Sequence, residues 1–252
     1  GSQAADLAWM WINAQTWGEW TIDVLTADPS RGSDETAQPW TPTQPRVLLN
    51  PAAADSVQHL HAAADPRVAI LETSKGRDVV VVGPRGNGLM KALHLGSTAE
   101  WLLHNPPGPL VIARHGRPVQ RAVVTTDGSP ASMAAARALA GMPWIGDVDV
   151  EVISVEQTGI DPEAAAAAAA HLLEGKAKSV QARAIGPDRT EVFYHVRDLI
   201  LEHLEKTQPD LLVQGTTGQS GWASLRAGSI ASSLAMHAPC SILVVHEHAG
   251  KP

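Results

Sequence analysis

The chain has 252 residues, 44% of them hydrophobic and 18% charged, which excludes global disorder and leaves room for one large domain or two smaller ones. A formal charge of −7 excludes the basic stripe of a nucleic-acid-binding surface, so an anionic ligand would be held by backbone N–H groups and a few local side chains. With Cys240 as the only cysteine there is no disulfide within the chain, and with no apolar run of roughly 18 residues and no leader pattern the expectation is a cytoplasmic protein without a membrane partner.

In chain order, Leu7 to Trp17 has a helical period, Thr21 to Thr26 reads as a strand, and Asp28 to Pro45 carries four prolines among polar residues and reads as a long surface loop. Pro66 to Ser74 is expected to be a helix and Val79 to Val82 a buried strand. A glycine-bearing loop follows, and Leu110 to Ala113 closes the first half. A polar linker, Arg114 to Pro118, separates it from the second, giving expected domains of 1–116 and 117–252. Arg121 to Thr126 is a short apolar strand followed by Asp127-Gly128-Ser129-Pro130, a turn and helix-start signal. Helices are expected over Ala131 to Ala140, Glu163 to Leu173 and Val192 to Lys206, the second because of its seven alanines. Strands are expected at Val148 to Val155, Ser179 to Ile185 and Leu211 to Val213. The helix Ile230 to His237 and the strand Ile242 to Val245 end the chain. Strands alternating with helices imply an α/β fold with a parallel sheet covered on both faces.

The chain is written twice. At an offset of 132, Gly83, Gly86, Gly96 and Ser97 fall on Gly215, Gly218, Gly228 and Ser229, while Asp78 falls on Asp210 and Pro107 on Pro239. Both copies read Gly-x2-Gly-x9-Gly-Ser between an apolar strand and a helix, so two homologous halves in tandem are expected. At an offset of 127, Gly1-Ser2 falls on Gly128-Ser129, so the first half begins where its first strand should already have ended. That strand is expected to precede Gly1, because without it the ladder would hold a gap and unpaired backbone groups.

The doubled glycine motif, the Asp-Gly-Ser after the first strand of the second half, and the ending HAPCSILVV resemble the universal stress protein family over nearly the whole chain. The resemblance implies two tandem doubly wound domains of strand order 3-2-1-4-5. It also implies binding of adenine nucleotides, ATP with or without Mg, at the glycine loops. On that fold ligands sit beyond the carboxyl ends of the strands. Gly215 and Gly218 would let the loop wrap ribose and phosphates; Gly228 and Ser229 would open a helix whose N–H groups favour an anion. Asp127 would serve the ribose or adenine, and Val155, by resemblance, would lie against the adenine. In the first half Gly83, Gly86, Gly96 and Ser97 would form a second loop, with Arg85 and Lys91 as phosphate partners. Both halves depart from the family pattern at Ala99 and Ala231, where many members carry a hydroxyl.

The role implied is a stress sensor or regulator acting through an unidentified protein partner, with the edge strands Leu110–Ala113 and Ile242–Val245 paired into an intramolecular pseudo-dimer, as a monomer or homodimer. Two alternatives stand beside it. One is a slow ATPase or nucleotidyl-transfer enzyme, for which Asp127 is the sole acidic candidate and no P-loop Lys-Ser/Thr is present. The other is a nucleotide-free interaction module. The His59-x-His61 and His246-x-His248 pairs lack a third metal ligand in sequence, Cys240 reads as a buried thiol, and the tryptophans at 9, 11, 17 and 20 read as core and interface.

Overall fold

The computed structural model describes residues 3–28, 54–84, 95–187, 194–216 and 228–246. In chain order the elements are α1 (Gln3–Ala14), β1 (Thr21–Ala27), β2 (Ser56–Ala62), α2 (Pro66–Thr73), β3 (Val80–Val82), α3 (Ser97–His104) and β4 (Leu110–Ile112) in the first half. The second half holds β5 (Arg121–Thr125), α4 (Pro130–Ala140), β6 (Asp149–Val155), α5 (Pro162–His171), β7 (Ser179–Ile185), α6 (Val196–Thr207), β8 (Leu211–Gly215), α7 (Ser229–His237) and β9 (Ser241–Val245).

Among the described residues seven strands form one sheet in the order β3-β4-β9-β8-β5-β6-β7, and β1 with β2 forms a separate parallel pair. Every pairing in the large sheet is parallel except β4 with β9, where Leu110 faces Val244 and Ile112 faces Ile242. Strands buried on both faces read as continuous apolar runs, and β9, SILVV, is buried at every position. Helices α1, α4 and α5 cover one face, over Val111, Val124, Val152, Val213 and Leu243. Helices α3, α6 and α7 cover the other, over Leu110, Val123, Ile153, Leu212 and Ile242.

Local chemistry explains most element ends. Helix α4 starts because Pro130 fixes the first turn and the Ser129 hydroxyl accepts the N–H of Ser132 at 3.3 Å; α5 starts the same way with Asp161 and Pro162. Helix α1 ends at Ala14, short of the Trp17 expected from its period. The Trp17 indole N–H donates to the Ile12 carbonyl at 2.8 Å, so the side chain caps the helix from outside it. Trp17 then meets Trp11 edge-on at 6.1 Å, and Trp11 meets Trp144 at 6.0 Å, tying α1 to the second half. Helix α6 begins at Val196, four residues later than its period implied. His195 is extended, the Tyr194 hydroxyl donates to the Glu156 carbonyl at 2.7 Å, and Val192 lies outside the described residues. Strand β2 has no counterpart among the expected elements. The loop expected over Asp28 to Pro45 falls almost wholly outside the described residues.

The linker between halves is pinned rather than loose. The Arg114 guanidinium donates to the last carbonyls of α7, at Ala235 and Met236. Asp210, buried ahead of β8, accepts the N–H groups of Gln120 and Arg121 at 3.1 Å each, and the Arg117 guanidinium lies 3.6 Å from it. His115 Nε2 donates to the Asp210 carbonyl at 2.9 Å, while its Nδ1 accepts from the Arg117 N–H at 3.4 Å. Both ring nitrogens are thus used by the neutral form.

Burial holds the His115 pKa below its usual 6.5, with the Arg117 charge adding to the effect against the opposing Asp210 contacts. The unfolded chain takes up this proton near pH 6.5, and the folded chain only at lower pH. Stability should therefore fall as pH drops through 6.5 towards the lowered folded value. Thermal melts across pH 7.5 to 5 should show a steeper loss for wild type than for His115→Gln. Parallel curves would remove His115 from the linkage.

Candidate functional site

The second half reverses direction at β5. The chain passes from β5 through α4 to β6 on one side, and returns through α6 to β8 on the other. A crevice forms outside the carboxyl ends of strands at such a point. The register shows which residues border it: Thr125 lies opposite Ile153, Val124 opposite Val213, and Gly215 opposite Val245. Asp127, Val155 and Gly215 therefore stand at the same end of three neighbouring strands.

Asp127 is set by its own turn. Its Oδ1 accepts the Ser129 N–H at 3.0 Å, and Gly128, at φ +74°, supplies a backbone conformation that other residues reach only with strain. The Thr126 hydroxyl accepts the Gly128 N–H at 3.1 Å and lies 3.0 Å from the Ser132 hydroxyl, so the turn is locked to the first turn of α4. Thr126 and Ser132 are positioning residues that the motif search did not single out; their signal was a polar pair flanking Asp-Gly-Ser.

Gly215 has a reason other than the loop itself. A Cβ at this position would lie 2.6 Å from the Ala131 carbonyl carbon and the Ser132 nitrogen, so its absence lets the start of α4 close onto β8. Beyond it, the Gly228 N–H donates to the Thr216 carbonyl at 2.7 Å and closes the loop at its base. The first half repeats this bond, from the Gly96 N–H to the Pro84 carbonyl, also at 2.7 Å. Positions 84 and 96 are the offset counterparts of 216 and 228.

Gly228 and Gly96 are the N-caps of α7 and α3, extended and without a side-chain cap, so each helix presents its first N–H groups without a competing side chain. Ser229 and Ser97 sit exposed at these starts. At the base of the second loop the Thr216 hydroxyl is buried with no hydrogen-bond partner among the described residues. The Gln214 amide donates to the Ala231 carbonyl at 2.9 Å, fixing α7 against β8. These features suit an anion next to polar hydroxyls.

Gly83 follows β3 directly, and among the described residues no strand pairs with both β1 and β3 as β5 pairs with β6 and β8. Gly86, Arg85, Lys91 and Gly218 lie outside the described residues, as does His248. His59 and His61 are exposed on β2, and among the described residues no group of three His, Cys, Asp or Glu is placed to hold a metal ion. Cys240 is buried, and desolvation pushes its thiol pKa up to about 12. No helix among the described residues is long and apolar enough to cross a membrane.

Comparison with known proteins bears on this geometry. The family model for the universal stress protein family matches residues 118–246, half of the chain and all of the β5-to-β9 unit. The chain belongs to the universal stress protein family. A universal stress protein of Synechocystis sp. is 29% identical over 185 residues, covering 72% of this chain and 62% of that protein. One from Methanocaldococcus jannaschii is 30% identical over 147 residues, covering 53% of this chain and 86% of that protein. The chain spans 62% of the Synechocystis protein and 64% of a Mycolicibacterium smegmatis relative, a little under two thirds of each. The crystal structure of a universal stress protein from Archaeoglobus fulgidus matches with a TM-score of 0.56 at 20% identity, covering 76% of this chain and 72% of that one, which shows the shared α/β fold.

The Gly215 geometry yields a stability test. Gly215→Ala should destabilise the protein by about 1–3 kcal/mol, as overpacked cores do, measured by urea unfolding without nucleotide. An unchanged midpoint would mean that α4 moves away at no cost.

Proposed function

We propose that this universal stress protein binds an adenine nucleotide, ATP, at the β5/β8 crevice and acts as a regulator that reports its occupancy to a protein partner. The observation that carries the reading is the uncapped start of α7, held against the end of β8 by the Gly228 to Thr216 bond, at the same end of the sheet as Asp127. In this reading the α7 N–H groups, Gly228 and Ser229 face the phosphates, and Mg, when bound, offsets their charge. Asp127 takes the ribose or adenine end, since a carboxylate repels phosphate, and Val155 lies against the adenine. Gly218 belongs to the same loop, and Gly215 admits α4 to the crevice. In the first half Gly83, Gly86, Gly96 and Ser97 form the corresponding loop. The two halves act as tandem units, 1–116 and 117–252, joined edge to edge as a pseudo-dimer, a reading supported by the β4–β9 pairing and the repeated loop-base bond.

Calorimetric titration of ATP into nucleotide-free protein tests this. Wild type should bind, Ser229→Ala should weaken binding about tenfold, the value of one hydrogen bond to a charged group, and Gly218→Val should abolish the second-half site. Steady Mg-dependent ADP release that Asp127→Ala removes would favour an enzyme instead. Wild type that binds no nucleotide would overturn the proposal and turn attention to protein partners alone.

A further inference from the structure

Tyr194 is the only tyrosine in the chain and stands just ahead of α6. Its hydroxyl donates to the Glu156 carbonyl at 2.7 Å, across 38 residues of sequence. Glu156 follows Val155, the last residue of β6, and its own N–H donates at 2.9 Å to the carbonyl of Ile185, the last residue of β7. The phenol is therefore moored to backbone that belongs to the sheet, at the end of the strand that carries Val155.

The ring also lies on the face where α7 opens. It is half-buried and packs against the cluster that holds Ile153, Val155, Ile200, Leu212 and Leu234, on the α6 and α7 side of the sheet. Because β5, β6 and β8 are parallel, Tyr194 and the start of α7 share the carboxyl end of the sheet as well as its face. Only β5 separates β6 from β8, so two strand spacings, roughly 10 Å, lie between the two positions. That is the scale of one nucleoside, with its phosphate end at α7 and its base at the end of β6. With its O–H donor spent on Glu156, the ring offers chiefly a flat π face. The one charge nearby is turned aside. A Cβ on Gly186 would come within 2.6 Å of the Glu156 carboxyl carbon, so that carboxylate lies past the end of β7, on the side of β6 away from β5.

We propose that Tyr194 is the base-stacking residue of the second-half site, an assignment that rests on the nucleotide reading above and adds to it a source of base selectivity. The base lies on the exposed part of the ring, next to Val155, and the bond to Glu156 holds the ring ready for it. Stacking strength sets the preference, so the larger π face of a purine is favoured over a pyrimidine.

With one tyrosine in the chain, labelling with fluorotyrosine gives one fluorine NMR resonance. ATP should shift it through the ring current of the stacked base, and inorganic tripolyphosphate, which has no base, should leave it in place. In calorimetric titrations Tyr194→Leu should weaken ATP binding about tenfold, the scale of one base–aromatic stack, and narrow the preference for ATP over UTP. Tyr194→Phe keeps the ring and loses only the bond to Glu156, so it should bind close to wild type. Thermal melts check that both variants fold, and the resonance, which needs no substitution, decides the matter if Tyr194→Leu does not. ATP that binds without moving the resonance, tripolyphosphate that moves it equally, equal losses in the Phe and Leu variants, or an ATP-to-UTP ratio unchanged by Tyr194→Leu would each overturn the assignment and leave nucleotide binding standing. Wild type that binds no ATP would overturn it together with the reading on which it rests.

Discussion

The seam between β4 and β9 is the contact on which the rest of the molecule depends. Leu110, Val111 and Ile112 lie opposite Val244, Leu243 and Ile242, and none of the six is more than 1% exposed. Through this one antiparallel pairing, β3 and β4 join a sheet that the second half has otherwise completed. The alternating side chains of the seam feed both cores: Val111 and Leu243 on the α1 and α4 face, Leu110, Ile112 and Ile242 on the α3 and α7 face. Opening it would expose two strand edges and the inner sides of four helices at once, so the halves stand or fall together.

Much of this was legible in the sequence because the decisive signals are local. A Gly-x2-Gly-x9-Gly-Ser spacing written twice marks two strand–loop–helix units, and the structure closes both loops with the same backbone bond. Asp-Gly-Ser-Pro could be read as a turn plus helix cap because each residue has one strong backbone preference, and Gly128 and Ser129 adopt those preferences. The β5 and β8 runs were visible because a strand buried on both faces needs no alternation.

Other features were hidden because they depend on contacts distant in sequence. Strand β2, SVQHLHA, has polar residues at Gln58, His59 and His61; it is a strand because β1 offers it a parallel partner, not because of its pattern. Trp17 fitted the helical period of α1 but serves as its external cap. Gly215 was read as a glycine for a ligand, while its missing Cβ also makes room for the α4 backbone, a constraint set by a helix 84 residues earlier. Asp210 repeated Asp78 in sequence, yet only the fold shows that it grips the start of β5.

The direction of the seam has a consequence for communication. Because β4 and β9 run in opposite senses, the loop after β3 and the loop after β8 leave the sheet at opposite ends. The ends of β3 and β8 therefore open in opposite directions along the sheet. A macromolecule reading both loops would have to wrap around the sheet edge. Within the molecule, the routes between the two ends are the six residues of the seam, the Trp11–Trp144 contact of α1 and the Arg114 bonds to the end of α7, which makes those residues the place to look for cross-talk.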